Sequence, residues 1–136
     1  MFSTPDLKDK YQKKVFQGFE SMKSFGNRDS FFGQIKTVTC HDDNSKVKEI
    51  LGTNGKGKVL VINSNLITHA AMIGDEIAQK AIDNEWNGIF VAGYVRDVEL
   101  LKQMDLGILA LGSTTTKTNK NNKGFLGEDV IFGGVI

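Results

Sequence analysis

The chain carries 17 Lys and Arg against 16 Asp and Glu over 136 residues, with a net charge of +1 and a pI near 7.8. That length suits a single domain, residues 1–136, and the balanced charge excludes the broad basic field of a direct nucleic-acid binder. The lone cysteine, Cys40, excludes an internal disulfide, Met1 to Lys14 is too polar for a secretory signal, and no apolar run reaches membrane-spanning length, so the expected address is cytoplasmic, with no membrane partner.

Gly33 to Cys40 interleaves Ile35, Val38 and Cys40 with polar residues, a strand pattern, and His41-Asp42-Asp43-Asn44 follows as turn and helix cap. Ser45 to Leu51 is a short helix stopped by Gly52, and Asn54-Gly55-Lys56-Gly57 is a second turn. Lys58 to Ile62 has a continuous apolar centre, the mark of a strand buried on both faces. The spacing predicts the main helix over Ile67 to Asn84, where Ile73, Ile77, Ala78, Ala81 and Ile82 make one stripe and Asp75 lies off its centre. Gly88 to Val95 is the next buried strand, Val98 to Met104 a helix, and Gly107 to Leu111 a strand. Ser113 to Lys123, rich in Thr, Asn and Lys, is expected to be a mobile loop before a last strand over Val130 to Ile136. Apolar runs alternating with helices imply an α/β fold with a largely parallel core sheet.

Asp75 near a helix start and Arg96-Asp97 at a strand end are separated by one helix-to-strand unit. A helix followed by a buried parallel strand brings the strand end toward the helix start, in the crevice where open α/β sheets bind ligands. Two carboxylates there could hold a hard divalent cation, and a guanidinium offers a planar fork to a carboxylate or an enolate oxygen. The same residues also suit a helix cap and a solvated turn, the reading that spacing alone favours.

Several segments together carry a resemblance. Gly26-Asn27-Arg28-Asp29-Ser30-Phe31-Phe32-Gly33, Gly57-Lys58-Val59-Leu60-Val61, Gly74-Asp75-Glu76-Ile77-Ala78, Asn84-Glu85-Trp86-Asn87-Gly88, Gly93-Tyr94-Val95-Arg96-Asp97, Asp105-Leu106-Gly107 and Phe132-Gly133-Gly134-Val135 stand in family order and at family spacing. By them the chain resembles the regulator of ribonuclease activity A family, which includes class II 4-hydroxy-4-methyl-2-oxoglutarate aldolases that also decarboxylate oxaloacetate. The resemblance implies a swivelling β/β/α-type domain, assembled as a homotrimer with the site between subunits. It further implies Mg²⁺ or Mn²⁺ as cofactor and a small 2-keto acid as substrate. Asp97 would bind the metal and Asp75 its water, Arg96 would contact the keto acid, and backbone near Gly74 would cradle its carboxylate. The alternative function within the family is a non-catalytic regulator that masks a ribonuclease partner.

Three departures stand out. Where the family has Asp-Gly-Gly-Gly-Ser-Leu-Arg-Arg, this chain has Asn63-Ser64-Asn65-Leu66-Ile67-Thr68-His69-Ala70, losing a glycine turn and two cations. The proline usual after the Asp-Leu-Gly strand is absent from Ser113-Thr114-Thr115-Thr116, and a Pro-Gly-Asp hairpin typical of the family is expected to be missing after Val135-Ile136. His69 is either a pH-dependent ligand for the substrate carboxylate or a helix-surface histidine. Cys40 and His41 read as structural and Trp86 as a packing anchor, while Lys117, Lys120 and Lys123 are a solvated loop or an anionic contact.

Overall fold

The computed structural model describes residues 3–18, 21–133 and 135–136. Its elements are α1 (Thr4–Lys10), β1 (Lys23–Ser24), β2 (Gln34–Thr39), α2 (Ser45–Leu51), β3 (Lys58–Asn63), β4 (Ala71–Ile73), α3 (Asp75–Asp83), β5 (Gly88–Val95), α4 (Val98–Leu101), β6 (Gly107–Ser113) and β7 (Phe125–Leu126). The strands β6, β5, β3 and β2 lie side by side and parallel, as the alternation of apolar runs and helices implies. Antiparallel β1 borders β6 and antiparallel β7 borders β2. Among the described residues no helix is long and apolar enough to cross a membrane.

Register explains the core. Ile62 pairs with Val91 and Val91 with Ala110, all three fully buried, and together with Leu60, Ile89 and Ile108 they line one face of the sheet. Val47 and Leu51 of α2 and Ala78 and Ala81 of α3 close over the same core. The alternate residues Val61, Phe90 and Leu109 are half-buried on the opposite face, where Phe132 meets Phe90 edge-on at 5.1 Å. Trp86 is buried and donates its indole N–H to the Thr53 carbonyl at 3.1 Å, which makes it the expected anchor. At the start of the strands the Phe31 ring lies across Gly88 and Gly107, where a Cβ would come within 2.2 and 2.1 Å of it. Arg28 grips Asp105 there with two bonds of 2.6 and 3.1 Å.

Three expectations need correction. The helix expected from Ile67 begins only at Asp75, because Ala71-Met72-Ile73 instead forms β4, fully buried and parallel to the end of β5. The short apolar run Ala70 to Ile73 satisfies either period, and the unpaired edge of β5 decides for the strand. The helix after Asp97 stops at Leu101 rather than Met104. No strand spans Val130 to Ile136 among the described residues; Phe132 and Val135 form one isolated bridge, and Gly134 lies outside those residues. Helix α1 was not expected, yet Ser3 caps it by accepting from Asp6 N–H at 3.3 Å, and Pro5 sits in the first turn where its missing donor costs nothing.

The Thr/Asn/Lys segment, expected to be mobile, is anchored along its length. Asp43, almost fully buried, accepts from Ser45 N–H at 2.9 Å and from Asn121 N–H. Asn44 donates to the Met72 carbonyl at 2.9 Å and accepts from Lys120 Nζ at 2.9 Å, and Ala71 N–H reaches the Thr116 carbonyl at 2.9 Å. Burial pushes the Asp43 carboxyl up, but the hydrogen bonds from Ser45, Asn121 and Lys123 prevail and hold it below the usual carboxylate range. Because the folded pKa lies below the unfolded one, this stabilisation is present above the ordinary carboxylate value and is lost as pH falls through the folded value. Asp43→Ala is expected to cost roughly 1–3 kcal/mol at neutral pH and to flatten the acid limb of the stability curve, measured by urea unfolding between pH 7 and acid. An unchanged acid limb would remove Asp43 from this role.

Candidate functional site

Strand β4 builds the site. Its pairing places Ile73 beside Val95, and the Arg96 N–H donates to the Ile73 carbonyl at 3.0 Å. The chain leaving β4 at Gly74 thus emerges next to the chain leaving β5 at Arg96. The Asp75 N–H, at the first turn of α3, donates to Asp97 Oδ2 at 3.2 Å. Expected site residues Gly74, Asp75, Arg96 and Asp97 therefore converge at one corner, as the Asp75-to-Arg96 spacing suggested.

Gly74 owes its place to room. A Cβ there would come within 2.5 Å of Asp97 Oδ2 and 3.1 Å of Arg96 Cγ, so both candidate side chains pass over the space a side chain would fill. Asp97 itself takes a left-handed backbone, φ 57° and ψ 42°, which Asp tolerates better than most residues, and its carbonyl accepts from Leu100 and Leu101 N–H to start α4. Arg96 Nε lies 3.6 Å from Asp97 Oδ1, with 27% and 26% of the two side chains exposed. The Asp97 carboxyl is held below its ordinary value, first by the backbone N–H of Asp75, against burial, and further by the Asp75 side chain and the Arg96 charge. The result is an ionised carboxylate and a guanidinium fixed on one rigid strand end, with the Asp75 carboxyl beside them.

His69 does not join this corner as a helix residue. It lies in the loop between β3 and β4, 61% exposed, with Nε2 3.3 Å from Asp42 Oδ2, a partner that the sequence did not suggest. The loop that replaces the family glycines keeps a glycine-like path: Asn65 and Leu66 both take positive φ, 58° and 59°. Asn63 Oδ1 accepts from Asn65 N–H at 3.1 Å and Ser64 Oγ donates to the Ala92 carbonyl at 2.8 Å, which holds the turn against its backbone strain. Leu66 is left 55% exposed.

The sequence also missed a groove of about 560 Å³ that opens at Asp75 between α3 and α4. Glu76 and Gln79 line one wall; Leu100, Gln103 and Met104 line the other. Helical spacing puts Asp75, Glu76 and Gln79 on one side of α3, but only the docking of α4 shows what they face. Among the described residues no group of three or more His, Cys, Asp and Glu could hold a metal ion by itself.

The family pattern described as RraA-like, Aldolase/RraA, matches residues 4–136. This chain belongs to the Aldolase/RraA family. It is 48% identical over 121 residues to a Vibrio cholerae protein bearing the name of a 4-hydroxy-4-methyl-2-oxoglutarate aldolase, covering 89% of this chain and 75% of the relative. A Pseudomonas aeruginosa protein of the same name is 46% identical over 134 residues, covering 98% and 83%. The solved RNA-processing inhibitor RraA of Thermus thermophilis superposes with a TM-score of 0.94 at 33% identity, covering 99% of this chain and 82% of that one. A Geobacillus kaustophilus structure named as an S-adenosylmethionine:2-dimethylmenaquinone methyltransferase gives 0.96 at 32% identity, covering 98% and 83%. Three different activities are named on one fold, so the choice among them rests on the site.

Gly74→Ala tests the corner without touching a charged group. The added methyl is expected to displace Asp97 from the Asp75 N–H and raise the Asp97 carboxyl toward its ordinary value, read by NMR titration. An unchanged low value would show that this contact does not hold Asp97.

Proposed function

We propose that this family member is a divalent-metal-dependent lyase that cleaves 2-keto acids of the 4-hydroxy-4-methyl-2-oxoglutarate type to pyruvate and decarboxylates oxaloacetate. The observation that carries the reading is the convergence of ionised Asp97, Asp75 and Arg96 over Gly74. The donor set fits a hard cation such as Mg²⁺ or Mn²⁺, which takes oxygen ligands, keeps several waters and needs one or two carboxylates. Asp97 would hold it directly and Asp75 through water. When bound, it supplies Lewis-acid polarisation of the keto oxygen.

The chain's own residues supply the rest. Arg96 donates to the keto-acid carboxylate and to the oxygen that gains charge as the enolate forms, the point at which a fixed guanidinium contributes most. Beyond the Asp75 N–H, which Asp97 takes, the first turn of α3 would offer its remaining backbone N–H donors to an anion. The strand-end anchoring of Arg96 and Asp97 fixes their geometry before substrate arrives. Completion of the site by a second copy, in a homotrimer, accords with a single-chain donor set of only two carboxylates.

A second reading, a regulator that binds a ribonuclease, is favoured by the likeness to the Thermus RNA-processing inhibitor. Arg96→Lys separates the two. Lysine keeps the charge but loses the planar two-donor fork, so metal-dependent pyruvate release from oxaloacetate is expected to fall on the order of thirty- to a thousand-fold, mainly in kcat. Parental turnover in the variant, or no metal-dependent rate in the parent, would transfer the case to the regulator. Light scattering of the same sample showing a stable monomer would remove the trimer.

A further inference from the structure

Asn44 opens α2, a position where an Asn side chain ordinarily caps the helix by accepting from its first turn. Here it is buried, 4% exposed, and both ends of its amide are committed elsewhere. Nδ2 donates to the Met72 carbonyl of β4 at 2.9 Å, and Oδ1 accepts from Lys120 Nζ at 2.9 Å. A lysine only donates and a carbonyl only accepts, so the two partners fix which way round the amide sits. The start of α2 is served instead by Asp43, which takes the Ser45 N–H.

The bond to Met72 falls where β4 is irregular. Ala71 lies opposite Tyr94 and Ile73 opposite Val95, so two steps along β4 match one along β5, and Met72 is the extra residue of a bulge. A bulged residue drops out of the ladder and turns the strand, and a one-residue slip there would redirect the chain beyond it. Gly74 and Asp75 are the next residues after that strand.

We propose that Asn44 is a positioning residue for the corner: by holding the Met72 carbonyl it fixes the bulge of β4, and so sets where Gly74 and the Asp75 N–H stand relative to Asp97. The Arg96 N–H on the Ile73 carbonyl and the Asp75 N–H on Asp97 Oδ2 both lie just beyond that bond. Lys120 orients the amide from the segment after β6, whose Thr116 carbonyl also takes the Ala71 N–H. Every group involved belongs to one chain, so the role does not depend on how copies assemble. Its consequence for turnover rests on the lyase reading; its consequence for the geometry of the corner does not.

The test compares Asn44→Asp with Trp86→Phe. At neutral pH aspartate keeps the size, suits a helix start and still accepts from Lys120, but it has no donor for the Met72 carbonyl. Trp86→Phe removes the bond to the Thr53 carbonyl, at the opposite end of β5 from the corner. In the metal-free protein, amide hydrogen exchange at Asp75 and Arg96 is expected to quicken on the order of tenfold or more in Asn44→Asp, while amides at the centre of β3 and β5 keep their parental rates. Trp86→Phe is expected to leave the Asp75 and Arg96 amides unchanged, and Lys120→Ala, which takes away only the orienting group, to quicken them by a smaller factor. Parental exchange at both amides in Asn44→Asp and Lys120→Ala, or a uniform rise over the whole sheet, would overturn the proposal. With Mg²⁺ and oxaloacetate, Asn44→Asp is expected to lower kcat on the order of tenfold and Trp86→Phe to keep the parental value. Local quickening with parental kcat would overturn the consequence for turnover. Local quickening with no metal-dependent rate in the parent would overturn the lyase reading and uphold the positioning of the corner.

Discussion

Everything at the candidate site depends on the pairing of a three-residue strand with the last residues of β5. Without β4 beside Val95, the Asp75 N–H would not reach Asp97 Oδ2, and α3 and Arg96-Asp97 would leave the sheet at unrelated places. Burial of Ala71, Met72 and Ile73 holds that strand in place. The apolar core thereby fixes the relative position of a carboxylate and a helix start to which it contributes no polar atom. A left-handed Asp97 and a glycine at 74 are the local costs of bringing two chains so close, and the hydrogen bonds around them offset those costs.

The loop after β3 shows how a left-handed path is held without glycine. Asn65 and Leu66 follow a path that glycines take more easily, held by an Asn63 side chain and a buried Ser64 hydroxyl. His69 and Ala70 stand where the family pattern has two arginines, and His69 is turned to Asp42.

How much was legible in the sequence follows from what each signal measures. Periodicity located α2 and β5 at their observed bounds and β3 within a residue, because those segments are long enough and buried enough for the apolar pattern to be unambiguous. It failed at β4, where three apolar residues fit a helix stripe equally well, and at β1 and β7, two residues each, whose pairing is decided by neighbouring strands rather than by their own composition. The convergence of Asp75, Arg96 and Asp97 was legible from spacing, and the chemistry proposed for it comes from the family resemblance. Gly74 was expected to cradle a ligand, and the structure adds that it makes room for Asp97. The groove and the Asp42 partner of His69 were not legible, since both arise from packing between elements far apart in sequence. The Ser113 to Lys123 stretch looked mobile because its composition lacks pattern, yet its bonds come from Asp43 and Asn44 on another element.

The central claim is that ionised Asp97 is the metal ligand of this corner. The direct measurement is Mn²⁺ titration followed by electron paramagnetic resonance, on the parent and on Asp97→Asn. Asparagine tolerates the left-handed backbone and still accepts from the Asp75 N–H, so the charge is what changes. The account expects saturable Mn²⁺ binding by the parent and an affinity weakened on the order of tenfold to a hundredfold in the variant, with an unchanged circular dichroism spectrum. Equal affinity in the two proteins would contradict it.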